Sequence, residues 1–145
     1  DACNLSEFDD ASFDLAHSNS VIEHVGSWSN MKAFAKELRR VGESYYVQTP
    51  YFWFPIDPHF YALPMFHWMP PSMRLKLLNR LALAHAGKIA SVDMANEVIE
   101  HTRLLDTSQF DFLFPDATLK FERFIGLPKS MIATRISHGL SKISR

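Results

Sequence analysis

Two adjacent residues, Glu23 and His24, offer the clearest chemistry in this chain of 145 residues. A carboxylate beside an imidazole, at the edge of a binding crevice, suits general-base work, because histidine titrates near working pH. Packing at the start of a helix with ordinary titration is the competing reading of His24. Upstream lie three more polar residues, His17, Ser18 and Asn19, and an acidic start at Asp1, Glu7, Asp9 and Asp10. Metal chemistry is not expected. The run HSNSVIEH lacks the spacing of an HExxH or HxxEH helix face, and the sequence offers no companion cluster.

Those residues need a scaffold that delivers them to one place. Phe13-Asp14-Leu15-Ala16-His17 reads as a short strand, ending in the small polar trio Ser18-Asn19-Ser20. A helical turn, Val21 to His24, follows at once. Open α/β sheets bind ligands at such carboxyl ends of strands, so the stretch resembles half of a nucleotide-type crevice. Asn19 or Ser20 can alternatively be a plain N-cap.

Asn30 or Ser29 is positioned to cap a helix running to about Val41, with Gly42 just past its end. Met31, Phe34, Ala35 and Leu38 give it one buried face, leaving Lys32, Lys36, Arg39 and Arg40 to solvent. Residues 44–49 (SYYVQT) then form a strand stopped by Pro50. Strand, helix and strand in that order predict a βαβ unit with parallel strands.

Between residues 50 and 72 lie Pro50, Pro55, Pro58, Pro64, Pro70 and Pro71, together with Tyr51, Phe52, Trp53, Phe54, Phe60, Tyr61, Phe66 and Trp68. That proline density excludes a regular element and predicts an irregular insertion packed by its own aromatics. Helices are expected from Ser72 to about His85, with Met73, Leu77, Leu78 and Leu81 on one side, and from Ser91 to Leu104. A short helix capped by Asp106 or Thr107 follows, through Phe114. Thr118–Phe124 and Met131–Arg135, joined through Gly126-Leu127-Pro128, read as an antiparallel pair. VIEHV at 21–25 and VIEHT at 98–102 look alike, but their flanks differ, and the likeness is taken as chance.

On these residues the chain resembles a class I S-adenosylmethionine-dependent methyltransferase of the broad type 11 group. The matching phrases are Asp1-Ala2, Phe13-Asp14, Ser18 to Val25, Arg39 to Gly42, Gln48-Thr49-Pro50 and Phe54 to Phe60. They resume at Leu113 to Ala117 and at Glu122 to Ser130. The resemblance covers nearly the whole chain in short motifs and leaves the substrate open. It implies an α/β fold: a partial Rossmann-like sheet of later strands, a parallel βαβ unit plus a C-terminal antiparallel hairpin, and a helical aromatic-rich cap. The expected organisation is a single domain over 1–145, with the cap inserted at 50–105. The family's Gly-rich first turn has no counterpart, since Gly26, Gly42, Gly87, Gly126 and Gly139 are all far apart. The expectation is therefore the C-terminal portion of a longer enzyme.

The same resemblance assigns roles. Asp1 and Ala2 would meet the adenine of S-adenosylmethionine, and His17, Ser18 and Asn19 would border its methionine part. Glu23 would face a small-molecule acceptor with His24, the candidate catalytic base. Tyr51, Asp57 and His59 would add acceptor contacts from an aromatic lid, whose other aromatics form its own small core or a dimer surface. Lys129 and Ser130 are expected on the final hairpin, away from the crevice, in a structural role.

Composition narrows the alternatives. Hydrophobic content of 47%, charged content of 21% and net charge −1 fit a globular domain with no obligatory nucleic-acid partner. No apolar run approaches membrane-spanning length, and the single Cys3 suits a reducing, cytoplasmic setting. Basic residues gather after Ala117, and the tail from Ile136 to Arg145 reads as a solvated terminus. The competing function is a non-catalytic truncated chain acting as a homo-oligomeric interaction module. A hydrolase reading fails for want of a G-x-S-x-G elbow.

Overall fold

The computed structural model describes residues 1–60, 62–81 and 91–137. Its centre is a four-stranded sheet in the order β1-β2-β4-β3. Strand β1 spans Phe13–Asn19 and β2 spans Gly42–Pro50, while β3 (Thr118–Phe124) and β4 (Leu127–Arg135) close the chain. β1 and β2 are parallel, as the βαβ reading requires, with Phe13 opposite Gly42 and Asn19 opposite Gln48. β4 runs antiparallel to both β2 and β3.

The connection between β1 and β2 is helix α1, Trp28–Val41. It starts earlier than Asn30, because the cap is Ser27, whose side chain accepts from the Asn30 backbone. The Asn30 amide instead donates to the Val25 carbonyl. Met31, Phe34, Ala35 and Leu38 are buried as their spacing predicts. Arg39 and Arg40 are not simply solvated. Both are half-buried in ion pairs, Arg39 with Asp116, and Arg40 with Glu37 and Asp10.

α1 passes into β2 without a linker. Gly42 is both the helix C-cap and the first strand residue. A Cβ there would stand 2.8 Å from the Ala16 Cβ on β1 and 2.7 Å from the Ser44 carbonyl oxygen. Only glycine lets the two strands approach this closely at their start.

The core lies between the sheet and two helices, α1 and α4 (Thr107–Leu113). Phe34, Tyr45, Val47, Phe110, Phe114 and Met131 are among its buried members. Asp106 opens α4 with the expected cap, in fact a full capping box with Gln109. The final hairpin turns on Ile125-Gly126, not on Gly126-Pro128. Both turn residues have positive φ, 49° and 81°, the signature of a two-residue I′ connection whose twist matches the strands.

Between β2 and α4 the chain is mostly irregular, with a 3-10 turn at Phe66–Trp68, helix α2 at Pro71–Arg80 and α3 at Val92–Glu100. Part of the helix expected up to His85, including its end at Gly87, falls outside the described residues. α3 ends before the expected Leu104. A second, smaller cluster holds this segment together: Phe60, Phe66, Leu78 and Ala95. Met73 and Leu81, expected on the buried side of α2, are exposed, since only the Leu78 stripe meets α3 and the turn.

Candidate functional site

The carboxyl ends of β1 and β2 gather the polar residues that the sequence singled out. β1 ends at Ser18 and Asn19, and the chain leaves it through Ser20, which takes a left-handed φ of 55°. This tight exit turns the backbone into the 3-10 turn Ile22–His24. Neither Asn19 nor Ser20 caps that turn. Val21 occupies the cap position, and Ser20 Oγ donates to Asn19 Oδ1 instead. Ser18 is buried, and its Oγ has no partner among the described residues.

The turn drives Glu23 inward and His24 outward. Glu23 is fully buried; its Oε2 accepts a 2.9 Å bond from Thr49 Oγ1 at the end of β2, and its Oε1 has no partner. Burial pushes its carboxyl above the usual range, an effect only partly offset by hydrogen bonds from its own backbone and Thr49 and by the nearby His24 and His59. The Glu23 carbonyl accepts from the Arg103 N–H.

His24 is exposed, and its Nδ1 lies 3.1 Å from the His101 carbonyl. A carbonyl only accepts, so Nδ1 carries the proton and Nε2 is the free face of the ring. That Nε2 meets His59 Nε2 at 3.1 Å, the rings standing edge to face at 85°. His59 arrives from the proline-rich segment, where buried Asp57 forms an Asx-type turn. Asp57 Oδ1 accepts from the His59 backbone N–H at 2.8 Å and lies 2.7 Å from His59 Nδ1. Asp57 Oδ2 is buried without a partner among the described residues. One carboxylate oxygen of Glu23 and one nitrogen from each imidazole all lie within 4.8 Å of one another.

The fold therefore unites Glu23, His24, Asp57 and His59, from two segments that the sequence treats separately. It supplies the companions to His24 that spacing in the sequence did not reveal. Tyr51 is not part of it. Its ring packs on Phe121 and its hydroxyl accepts from Thr107 Oγ1, beside the main core. His17 is exposed and stacked on Tyr46, one strand away. Asp1 is exposed, with Oδ1 accepting from the Cys3 N–H, and Ala2 packs against the main core.

Two cavities flank the cluster. One of about 410 Å³ opens at the strand ends between Asn19, Gln48, Glu122, Lys129 and Ser130. Lys129 and Ser130 thus border the crevice end and do not lie far from it, because β4 is antiparallel to β2 and pairs Ser130 with Pro50. Ser130 and Gln48 both donate to Glu122, and the Ser130 bond above all holds that carboxyl below its usual range. The other cavity, about 650 Å³, is lined by His67, Arg74, Glu100, His101, Arg103 and Asp106, among others. It adjoins the cluster through His101 and through half-buried Arg74, on which the charge of Asp57 acts and whose Nε has no partner among the described residues.

Sequence reasoning missed Thr49 and His101 as supports. Thr49 stood in a quoted motif with no assigned role, and His101 acts through its carbonyl, which no side-chain pattern discloses. The two similar pentapeptides come together here, His24 bonding to His101.

A family model for a methyltransferase domain matches residues 1–44. Among solved structures, the chain is similar to a SAM-dependent methyltransferase from Methanosarcina mazei. The TM-score is 0.52 and the identity 16%, over 95% of this chain and 66% of that one. The chain thus spans just under two thirds of that neighbour's length. No curated protein matches the sequence. Residues 1–44 thus match a methyltransferase-domain model, and the fold of the chain, with its sheet ordered β1-β2-β4-β3, is similar to that of a SAM-dependent methyltransferase.

Proposed function

We propose that the chain takes part in methyl transfer from S-adenosylmethionine to a small-molecule acceptor. The match of residues 1–44 to a methyltransferase domain carries this reading, because that stretch holds β1 and the polar turn at its end. The cofactor supplies an already activated methyl group, so the protein's work is placement and exclusion of water.

The residues at the strand end suit such a ligand at two points. Ser18 offers a buried hydroxyl that nothing in the described chain engages. Asp1 keeps a second carboxylate oxygen, beyond the one bonded to Cys3, to accept from an amine. Asn19 is exposed at the mouth of the smaller cavity, and His17 precedes it by two residues on β1. On the acceptor side, His24 Nε2 is the atom able to take a proton, with His101 fixing the tautomer. Glu23, Asp57 and His59 would orient the acceptor, and the larger cavity gives it room. A small molecule suits these volumes. We place no nucleic acid or membrane among the partners; no helix of the described residues is long and apolar enough to cross a membrane. The free thiol of Cys3 fits a cytoplasmic setting.

A second reading, a homo-oligomeric interaction module, is favoured by β1. Among the described residues its outer edge is unpaired, and Phe13 and Leu15 on it are exposed.

Calorimetric titration of the chain with S-adenosylhomocysteine tests the main reading. Saturable one-site binding is expected, weakened by about 1–3 kcal/mol in Asp1→Ala through loss of a charge-assisted hydrogen bond. The absence of saturable heat, in a protein folded by circular dichroism, would overturn cofactor binding by this chain.

A further inference from the structure

We propose that His24, His59 and Glu23 form a binding site for a divalent transition-metal ion of the zinc type. The inference does not rest on methyl transfer. It gives His24 Nε2 a different use from that of a base, since a metal-bound lone pair takes no proton. It rests on where protons and lone pairs lie. His24 Nδ1 faces a carbonyl, which only accepts, so it must donate. His59 Nδ1 faces Asp57 Oδ1, an oxygen already accepting from the His59 backbone N–H, so it too donates. In both neutral rings the lone pair is then on Nε2, and the two Nε2 atoms stand 3.1 Å apart. Two lone pairs at that separation repel unless a positive centre lies between them, either a ring proton shared as an N–H···N bond or a metal ion.

Three observations favour a metal ion as that centre. The first is distance. Two metal–nitrogen bonds of about 2.05 Å at a tetrahedral angle place their nitrogens about 3.3 Å apart, close to what the rings already adopt. The second is the outer shell: each histidine donates its other ring N–H to a carboxylate or a carbonyl, the arrangement that fixes metal-ligating imidazoles. The third is Glu23. One of its carboxylate oxygens lies within 4.8 Å of a nitrogen of each ring, and Oε1 is buried with no partner among the described residues while Thr49 holds Oε2. Buried polar atoms are normally hydrogen-bonded, and among the described residues none engages Oε1. Two imidazoles and a carboxylate suit zinc and its borderline-soft neighbours more than magnesium or calcium, which prefer all-oxygen shells. Exposed His24 leaves an entry path and open coordination positions for water or a ligand.

The test uses the tag-free full chain and cobalt(II) alone as a spectroscopic probe, followed by zinc competition against a chelating indicator. One equivalent of cobalt is expected, with the intense visible bands of a four- or five-coordinate ion, displaced by zinc. His24→Ala and His59→Ala should each abolish the bands. Asp57→Asn, which touches no metal, should weaken binding about 10–100-fold. Because His24 is exposed, His24→Ala is expected to keep the wild-type circular dichroism, which makes its loss of binding interpretable. Wild-type protein that gives no such bands, or a folded His24→Ala that retains them, would overturn the site.

Discussion

The two ends of the sheet carry polar clusters of similar make-up and opposite condition. At the start of β2, Asp116 meets Arg39 and Arg135 at 2.7 Å each and accepts from the Tyr45 hydroxyl at 2.9 Å. Arg135 also donates to the Arg39 and Gly42 carbonyls and lies over the Tyr45 ring. Every oxygen of Asp116 is engaged. At the finish of β1 and β2, Glu23 and Asp57 each keep one buried oxygen with no partner among the described residues. A satisfied network fixes structure, whereas an unsatisfied one holds unused interaction capacity for something that binds.

The sharpest way to break that contrast is to remove each carboxylate in turn. Asp116→Ala strands two guanidinium groups and a hydroxyl, and should lower unfolding free energy by about 2 kcal/mol, the modest size reflecting its partial exposure. Urea denaturation measures it, and a loss near zero would make this end no more structural than the other. Tyr45→Phe deletes one bond of the same network and should cost about 1 kcal/mol by the same method. Glu23→Gln should move stability by no more than about 0.5 kcal/mol, or raise it, when chelator is present, since it removes an uncompensated buried charge while keeping an acceptor for Thr49. A large loss there would mean Glu23 is a structural residue.

The subtlest contrast is in pH dependence. Burial pushes Asp116 upward, but hydrogen bonds from Arg135 and Tyr45 and the charge of Arg39 outweigh it and hold the carboxyl below its usual value. The folded state therefore binds this proton less readily than the unfolded chain. The stability Asp116 contributes is present above the unfolded pKa and fades as pH falls through the lower folded one. Glu23 has the opposite sign. Its carboxyl is raised, so the folded state holds the proton longer, and stability declines as pH climbs above the ordinary carboxylate range. In chelator, the difference between wild type and Asp116→Asn should shrink on acidification, while that between wild type and Glu23→Gln should shift against wild type on raising pH. Parallel curves for the two variants would erase the distinction.

How much of this was legible beforehand follows from range. The α1 face, the parallel β1–β2 pair and the α4 cap depend on residues a few positions apart, and their periodicities and capping residues announce them. Glu23 and His24 were legible as chemistry because they adjoin a strand end. Their union with Asp57 and His59 was not, because a proline-rich segment has no period from which to infer where it folds back. Arg39 and Arg40 show the same limit, and Arg135, read only as a strand end, shows it too. The two α1 arginines read as solvated charges outside the apolar stripe, and only the return of β4 beside β2 brings Arg135 and Arg39 together on Asp116. Lys129 and Ser130 were misplaced for want of the same strand order.

Gly42 has a reach that its position conceals. It touches nothing at the crevice, yet it sets how closely β1 and β2 can lie where they begin. Thr49, which steadies Glu23, is on that same strand, roughly 23 Å away at about 3.3 Å per residue. Any side chain at Gly42 would act as a wedge between the strands that present the two halves of the chemistry. A library randomised across the chain and selected for ligand binding should therefore return glycine at this position as stubbornly as it returns the histidines, a residue chosen for the gap it leaves rather than for any group it offers.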